Sequence, residues 1–331
     1  MDTTGPKPDK VMQLISGGWA TAILGSAVKH GIFNVLEGAG GNADAVATRA
    51  GISNRGAQAL LDGLTGLGLV TVSQGRYENT PESSAFLVSG KPTYLGGMAE
   101  VTFVGLEQWL NLPEAIKTGK PVGAETEVPD NEFWHALVPA IAALSFPVAQ
   151  MTAERLVLAN AGPVSWLDVG GGSGVWSAVW LTVNKSAHGF QMDWPTVNKI
   201  AKGFVGKFGV ADRFETIDGN FHDLDFGSSK YDYSIYAHIA HQETRADNVA
   251  IFRKFRRALK PGGTLVINDF VLNDDGTGHP FALMFASQML LVTKGGNAWR
   301  QSDYREWLAE AGFTSVQFMA TPTPATVVLA K

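Results

Sequence analysis

The chain has 331 residues, of which 45% are hydrophobic and 17% charged, and its formal net charge is −5 at pH 7. This length predicts two domains with a sizeable core, and the acidic balance argues against nucleic acid or an anionic membrane as a partner. Cysteine is absent, which excludes disulfides, thiolate metal sites and cysteine nucleophiles. The N-terminus is polar and no apolar run of about 20 residues is evident, so we expect a cytoplasmic protein without a membrane span.

The first hundred residues have a winged-helix pattern. Residues 11–36 carry apolar side chains at helical spacing, 42–51 and 53–70 predict two short helices joined at Gly51, and 69–80 predict a hairpin with Gly75 at its tip. A recognition helix would carry several basic residues, but 53–70 offers only Arg55, opposed by Asp62. We therefore expect a dimerisation domain over 1–100 that makes a homodimer, rather than a DNA-binding domain.

Two further regions follow in chain order. An acidic, Gly- and Pro-rich loop leads into a long helical stretch that is interrupted near Pro147, so 101–160 is predicted to be a helical linker that lines the substrate pocket. From 161 to 331, buried strands alternate with helices, beginning with "VSWLDVG" and continuing through "AHGFQMDW", "DRFETIDGN", "YDYSIYAHI" and "TLVINDFVL". This alternation predicts an α/β domain with a Rossmann-like, doubly wound sheet.

A glycine-rich loop, "LDVGGGSGVW", joins the first of these strands to its helix. Gly170, Gly172 and Gly174 allow a sharp turn and a close approach to a ligand, and Asp168 ends the strand before them. Asp193 ends the next strand about 20 residues later, where a carboxylate can bind both hydroxyls of a ribose. The D-x-G-x-G-x-G spacing without a phosphate-binding lysine favours a nucleoside cofactor that lacks phosphate, S-adenosylmethionine (SAM), over a purely structural turn.

The following strand ends complete the predicted cofactor site. Trp194 comes directly after Asp193, and the third strand ends in "TIDGNF". Asn220 is placed to bind the exocyclic amine of adenine, and Phe221 to pack against the adenine ring.

At this point the sequence resembles the class I, dimeric O-methyltransferase family that includes acetylserotonin, caffeate and hydroxyneurosporene methyltransferases. The resemblance covers nearly the whole chain. It rests on the winged-helix region together with "LDVGGGSG", "QMDWP", "GNFHDLDF", "HIAHQE", "RRALKPGGTLVINDF" and "YREWLAEAGF".

The resemblance implies a general base at the end of the fourth strand, which is His241 here, and an acid at the end of the next strand, Asp269. Four positions depart from the family pattern: Gln242 replaces an aspartate, Ala298 a glutamate of the plant members, Asn220 the adenine-binding acid, and Ala237 a lysine that binds the SAM carboxylate.

The two histidines of "HIAHQE" leave alternatives open, since a metal pair or simple packing are also compatible with the pattern. We expect His241 to be the base and His238 to line the pocket. The other candidates for an apolar acceptor pocket are aromatic residues, methionines and one glutamine: Trp109, Phe133, Trp134, Phe146, Met151, Phe281, Met284, Phe285, Gln288 and Met289.

The sequence therefore predicts a SAM-dependent methyltransferase that acts on a hydroxyl of a small aromatic or polyketide-like molecule. An S-, N- or C-methyltransferase, or another SAM-binding enzyme, is the alternative on the same fold. A ligand-responsive regulator that uses the winged helix is the alternative from another class.

Overall fold

The computed structural model describes residues 6–122 and 132–331, and the chain divides into two compact units, Met1–Glu107 and Gln108–Lys331. The first unit is mainly helical. Its elements are α1 (Asp9–Ile15), α2 (Gly17–Lys29), α3 (Ile32–Leu36), α4 (Ala43–Ala50), α5 (Asn54–Gly66), β1 (Val70–Ser73), β2 (Arg76–Asn79), α6 (Pro81–Phe86) and α7 (Gly96–Val104).

The helix–turn–helix–hairpin predicted for this unit is present. Asn42 caps α4 by accepting a hydrogen bond from Ala45 N, and Ser53 caps α5 in the same way through Gly56 N. Gly51 lies between the two helices with a left-handed φ of 67°. The strands β1 and β2 pair antiparallel, and the unit is built around its own core, which includes Ile32, Phe33, Leu36, Leu61 and Leu64.

The second unit alternates strands and helices as predicted. Its elements are α8 (Leu112–Thr118), α9 (Glu132–Arg155), β3 (Ser165–Val169), α10 (Val175–Val183), β4 (His188–Asp193), α11 (Pro195–Gly206), β5 (Phe214–Asp218), β6 (Tyr231–Ala237), α12 (Arg245–Ala258), β7 (Leu259–Asp269), α13 (Pro280–Val292), α14 (Gln301–Glu310), β8 (Val316–Ala320) and β9 (Thr326–Ala330). Short 3-10 helices occupy Gly105–Asn111, Leu158–Asn160 and Ala211–Arg213.

These strands form a seven-stranded sheet in the order β5-β4-β3-β6-β7-β9-β8. The first five are parallel, and β9 runs antiparallel to both β7 and β8, so the sheet is mixed. The strand order reverses between β3 and β6. Ligands bind outside the carboxyl ends of the strands at such a point, which is where the glycine loop and the segment after β6 meet.

Both faces of the sheet are buried, and the side-chain alternation of the strands divides the core between them. Along β7, Leu265 and Ile267 pack on one face with α12 and α14, whereas Val266 packs on the other with α9 and α10. In β6, Tyr236 and Ile235 divide in the same way. Burial on both faces explains why these strands are continuously apolar in the sequence.

The expectation that the chain lacks a membrane span is not contradicted, but α9 is more apolar than the sequence reading suggested. The segment from Phe133 to Arg155 includes a stretch with a mean hydropathy of 1.5, and by length and composition alone it could cross a bilayer, as could the bent pair α1 and α2 taken as one broken span. The tryptophan, histidine and prolines in α9 interrupt its apolar residues, so its high mean hydropathy is not obvious in the sequence. A core helix of a soluble protein also passes this test, and α9 packs through Val148, Ala149 and Ala153 into the core.

Candidate functional site

The glycine loop between β3 and α10 turns through three left-handed residues. Gly170, Gly172 and Gly174 have φ values of 65°, 56° and 72°. A Cβ on Gly170 would lie 2.6 Å from Cδ1 of Ile239, and one on Gly174 would lie 2.9 Å from Cγ2 of Val205, so a side chain at either position would displace its neighbour and strain the left-handed backbone. The loop is therefore a shallow backbone cradle at the carboxyl edge of the sheet.

Asp193, at the end of β4, is bound to this cradle. One carboxylate oxygen accepts a hydrogen bond from Gly172 N at 2.9 Å, and the other accepts from Trp194 N at 2.7 Å. Burial raises the pKa of Asp193 to about 6, although these two N–H groups act to lower it. Trp194 is partly buried and begins α11 as its N-cap residue. Asp193 is thus in direct contact with the glycine loop, and Trp194 is joined to the loop through Asp193.

Asp168 lies at the base of the cradle and is completely buried. Neither of its carboxylate oxygens has a hydrogen-bond partner among the residues that the structure describes. Burial, together with the charge of Asp193, raises the pKa of Asp168 well above its ordinary value. A buried carboxyl group without a partner fits a cationic ligand group, and the α-ammonium group of SAM provides one.

A buried amide network, which the sequence did not reveal, fixes the geometry of the cradle. Gln191 Nε2 donates to the carbonyl of Gly172 and to Oδ1 of Asn198, each at 3.1 Å. Asn198 Nδ2 lies within hydrogen-bonding distance of the carbonyl of Asp193, at 3.0 Å, and of Oδ1 of Asp218, at 2.7 Å. The only sequence signal was a polar residue, Gln191, inside an otherwise buried strand.

The loop after β5 holds the two residues predicted to face adenine. Oδ1 of Asn220 already accepts a hydrogen bond from His222 N at 3.0 Å, and the ring of Phe221 lies 4.6 Å from that of His222. Lys254 of α12 closes this loop, because its ammonium group donates to the carbonyls of Phe221 and Leu224 at 2.9 and 3.0 Å and also to that of His222.

His241 and Asp269 make the closest contact between two functional groups in the site. Nδ1 of His241 lies 2.6 Å from Oδ1 of Asp269, and His241 N donates to Oδ2 at 3.0 Å. Burial alone would raise the pKa of Asp269, but its interactions with His241 and the N–H of Phe270 outweigh burial and lower that pKa. The ionised carboxylate therefore holds a proton on Nδ1 and orients the imidazole ring.

His238 lies beside this pair in an unusual backbone conformation. Its φ is 59°, and its Nε2 is 3.0 Å from Nδ2 of Asn268. Burial, reinforced by the neighbouring His241, lowers the pKa of His238 to about 4, although the charge of Asp269 opposes this shift. His238 is therefore neutral at physiological pH. The left-handed turn brings its ring within 6.3 Å of the ring of His241.

Aromatic side chains surround the two histidines. The ring of Phe285 lies edge-on to His241 at 4.8 Å, and Phe270 contacts His238 at 5.0 Å and Phe285 at 4.6 Å. Phe281 completes the cluster at 5.1 Å from Phe270. Phe270 was missed by the sequence reading, although its position directly after Asp269 at a strand end was a usable signal.

The other predicted pocket residues divide into two groups. In the first group, Phe146 stacks on Phe208 at 6.2 Å, and Phe208 follows the end of α11 that is remote from the carboxyl edge of the sheet. Met151 is partly buried against the core that α9 shares with α10. These are packing contacts, so the place of both residues in the acceptor pocket stays a prediction.

The remaining candidates lie on α13, near the start of α9 and in the 3-10 helix Gly105–Asn111. On α13, Met289 is buried, Gln288 is partly buried and Met284 is 63% exposed. Phe133 and Trp134 form an edge-to-face pair at 5.2 Å near the start of α9. Trp109 lies in the 3-10 helix Gly105–Asn111 and is partly exposed.

Two groups of side chains have metal-ligating atoms within 4.8 Å of one another, in the described part of the chain: His238, His241 and Asp269, and His222, Glu243 and Asp247. In the first group, Nδ1 of His241 is occupied by Asp269. In a metal site His241 would therefore ligate through Nε2, with Asp269 orienting its ring, so the metal alternative for the "HIAHQE" histidines stays open.

Comparison with known proteins matches both units. A family model described as an O-methyltransferase domain matches residues 152–314, and one described as an O-methyltransferase dimerisation domain matches residues 12–89. The 3-hydroxy-5-methyl-1-naphthoate 3-O-methyltransferase of Streptomyces sahachiroi is 29% identical, over 96% of this chain and 92% of that protein.

Two other relatives extend the comparison. The tetracenomycin polyketide synthesis 8-O-methyl transferase TcmO of Streptomyces glaucescens is 27% identical, over 98% of this chain and 96% of that protein. The L-tyrosine C(3)-methyltransferase of Streptomyces lavendulae is 25% identical, over 94% and 88%.

Solved structures agree on the fold. A Nostoc punctiforme protein, described provisionally as an O-methyltransferase, superposes with a TM-score of 0.91 at 26% identity, over 99% of both chains. Human N-acetylserotonin methyltransferase, solved with SAM, has a TM-score of 0.86 at 22% identity, over 100% of this chain and 99% of that one. The glycine cradle and its buried carboxyl groups fit that cofactor, and the chain belongs to the class I, SAM-dependent O-methyltransferase family.

Proposed function

We propose that this O-methyltransferase methylates a hydroxyl group of a small aromatic or polyketide-like acceptor and that His241 removes the proton of that hydroxyl. The observation that carries the proposal is the 2.6 Å contact between His241 Nδ1 and Asp269 Oδ1 inside a cluster of aromatic rings. With Nδ1 protonated, Nε2 of a neutral His241 presents the lone pair that a base needs.

SAM, when bound, supplies an electrophilic methyl group on a sulfonium that is already a good leaving group. The protein then has to align the acceptor oxygen and take its proton. A phenol ionises near pH 10, so a positioned imidazole is most useful as the oxygen attacks the methyl carbon. Asp269 stabilises the imidazolium that forms, and the surrounding rings exclude water from the acceptor.

The cofactor site consists of the residues at the ends of β3, β4 and β5. In the proposal, Asp193 binds the ribose hydroxyls, Asp168 faces the amino acid end of SAM, and Gly170, Gly172 and Gly174 let the backbone approach the nucleoside. Trp194, Asn220 and Phe221 surround the adenine. Support comes from the hydrogen bonds that join Asp193 to Gly172 and from the two unpartnered oxygens of Asp168 among the described residues.

The acceptor pocket is formed by His238, Phe270, Phe281 and Phe285, whose rings suit a flat aromatic molecule. One relative is named for O-methylation of a hydroxynaphthoate and another for O-methylation in tetracenomycin polyketide synthesis, which supports this class of acceptor. The L-tyrosine relative is named for methylation of carbon, so transfer to carbon is the second candidate. A rate that depends on His241 favours transfer to oxygen over transfer to carbon.

The proposed assembly is a cytoplasmic homodimer formed through the first unit, without a nucleic acid or membrane partner. The helix α5 carries Arg55 and Asp62 and has no further basic residue, which is too little positive charge for phosphate contacts.

A direct test is to measure SAM turnover with a panel of hydroxylated naphthoic acids and polyketide phenols, and to locate the new methyl group by NMR. O-methyl products whose formation requires His241 support the proposal. Products methylated only on carbon or nitrogen contradict it.

A further inference from the structure

A buried carboxylate, that of Glu243, lies beside the loop that follows β5 and has no part in the steps described above. Glu243 comes two residues after His241 and is 8% exposed. Its Oε1 is 3.2 Å from Nε2 of His222. This hydrogen bond raises the pKa of His222, although the partial burial of the imidazole opposes the shift. Oε1 of Glu243 is thus paired, and no hydrogen bond to Oε2 is found among the described residues.

The aromatic rings near Glu243 suit a ligand that has a flat ring. The rings of His222 and Phe221 are 4.6 Å apart, and Phe221 meets the ring of Tyr236 edge-on at 6.5 Å. The hydroxyl of Tyr236 is buried without a hydrogen-bond partner among the described residues. Burial raises the pKa of Tyr236 well above its ordinary value, and the charge of Glu243 acts in the same direction.

The adenine amine needs an acceptor in this region. Adenine presents two N–H donors from its exocyclic amine, and burying them without acceptors is costly. Asn220 was the predicted acceptor, but its Oδ1 is already bound to His222 N. Glu243 offers a charged acceptor on the other side of His222, and charged acceptors make stronger hydrogen bonds than amides.

We propose that the carboxylate of Glu243 accepts a hydrogen bond from the exocyclic amine of SAM and so selects adenine over hypoxanthine. The inference rests on the proposed cofactor site, because Phe221 has to pack against the purine. The ion pair with His222 then positions the carboxylate at the rim of the ring.

The test compares two ligands by calorimetry, S-adenosyl-L-homocysteine and S-inosyl-L-homocysteine, in which a carbonyl oxygen replaces the amine. The wild-type protein should prefer the adenine compound strongly, because the carboxylate repels the carbonyl. In Glu243→Gln the amide N–H can donate to that carbonyl, so we expect the preference to fall by about tenfold or more. Glu310→Gln, which changes an exposed acid on α14, is the matched control and should leave the preference unchanged.

Glu243→Asp provides a second variant that keeps the charge but withdraws it from the ring, and it should also reduce the preference. An unchanged preference in both variants overturns the proposal, as does a collapse of the preference in Asn220→Ala alone. If a chelator applied to the wild-type protein reproduces the Glu243→Gln result, the group His222, Glu243 and Asp247 holds a cation and the proposal is equally overturned. Asp193→Ala should weaken both ligands alike; if it weakens neither, the cofactor site itself is misassigned.

Discussion

Asp269 binds both the imidazole and the backbone of His241, since Oδ1 lies 2.6 Å from Nδ1 and Oδ2 accepts a hydrogen bond from His241 N. One carboxylate therefore fixes the position of the residue and the tautomer of its ring. Because Asp269 is fully buried at the end of β7 and His241 follows β6, two neighbouring strand ends determine the geometry of the proposed base.

The first prediction concerns this pair. His241→Ala should lower kcat by about 10²–10⁴-fold while SAM affinity stays nearly unchanged, because a positioned base acts on the acceptor proton and not on the cofactor. Asp269→Asn should have a smaller effect in the same direction. Steady-state kinetics with phenols of different acidity provide the check. The loss should shrink for acidic phenols, and His188→Ala, an exposed histidine at the start of β4, is the control. Full activity in His241→Ala would remove its role as a base.

The second prediction concerns Asp193, whose pKa is raised to about 6. Because the folded protein binds this proton more tightly than the unfolded chain, Asp193 adds stability at low pH, and that contribution is lost as the pH rises from about 4 to about 6. Asp193→Asn should remove this pH dependence, so the stability of the ligand-free variant relative to the wild type should rise by roughly 1–3 kcal/mol between pH 4 and pH 8.

The same substitution should weaken SAM, because the ribose hydroxyls lose a charged acceptor. In the wild-type protein, SAM affinity should fall as the pH drops below 6 and the carboxyl group takes up a proton. Thermal melts and calorimetry across pH 4 to 8 measure both effects. A stability difference between Asp193→Asn and the wild type that is the same at pH 4 and pH 8 would contradict the assignment.

The third prediction concerns Gln191, the amide beneath the glycine loop. Gln191→Leu removes the donor to the carbonyl of Gly172 and to Asn198, so it should cost roughly 1–3 kcal/mol of unfolding free energy and raise the Kd for SAM. The KM for the acceptor should change little. Gln317→Leu, at an exposed position in the same unit, is the control for denaturant and binding measurements. Equal effects of the two substitutions would show that the buried network has no special role.

The fourth prediction concerns assembly. Four apolar side chains of α1, Val11, Met12, Leu14 and Ile15, are each more than half exposed, as expected for a surface that a second subunit covers. Light scattering should give about twice the chain mass of 35.3 kDa. Glu in place of both Leu14 and Ile15 should shift the protein towards the monomer. Val157→Glu, at an exposed apolar position of the second unit, should not, and a wild-type monomer at micromolar concentration would contradict the homodimer.

Most residues of the proposed site could be selected from the sequence because they lie at strand ends, and a buried strand followed by a polar residue is easy to recognise. Asp193 and Asp218 are aligned in the β4–β5 pairing, and Ala237 and Asn268 in the β6–β7 pairing, so correct strands bring the next residues together. The orientation of Phe146 and Met151 was harder to predict. A helix as apolar as α9 has no polar side from which its orientation can be read.

Residues that act through a neighbour were also difficult to predict. Gln191 and Lys254 have no motif, and their roles depend on backbone carbonyls that only the folded chain brings within reach. Glu243 is only two residues from His241, so the histidine takes the functional interpretation of this segment. The pairing of Glu243 with His222 joins loops that are 21 residues apart. The antiparallel hairpin of β8 and β9 likewise has no counterpart in the strand–helix alternation that predicted the rest of the sheet.

Because His238 has a left-handed backbone conformation, the role of its side chain can be tested separately from the role of its backbone. Replacement by alanine keeps the unfavourable φ of 59°, whereas glycine adopts it without strain, so His238→Gly should be the more stable protein by about 0.5–1 kcal/mol. Both substitutions remove the same imidazole. If the KM for the acceptor rises equally in the two variants while their melting temperatures differ, the imidazole ring contributes to acceptor binding and the backbone angle contributes only to stability. The acceptor preference could then be changed at this position without redesigning the loop.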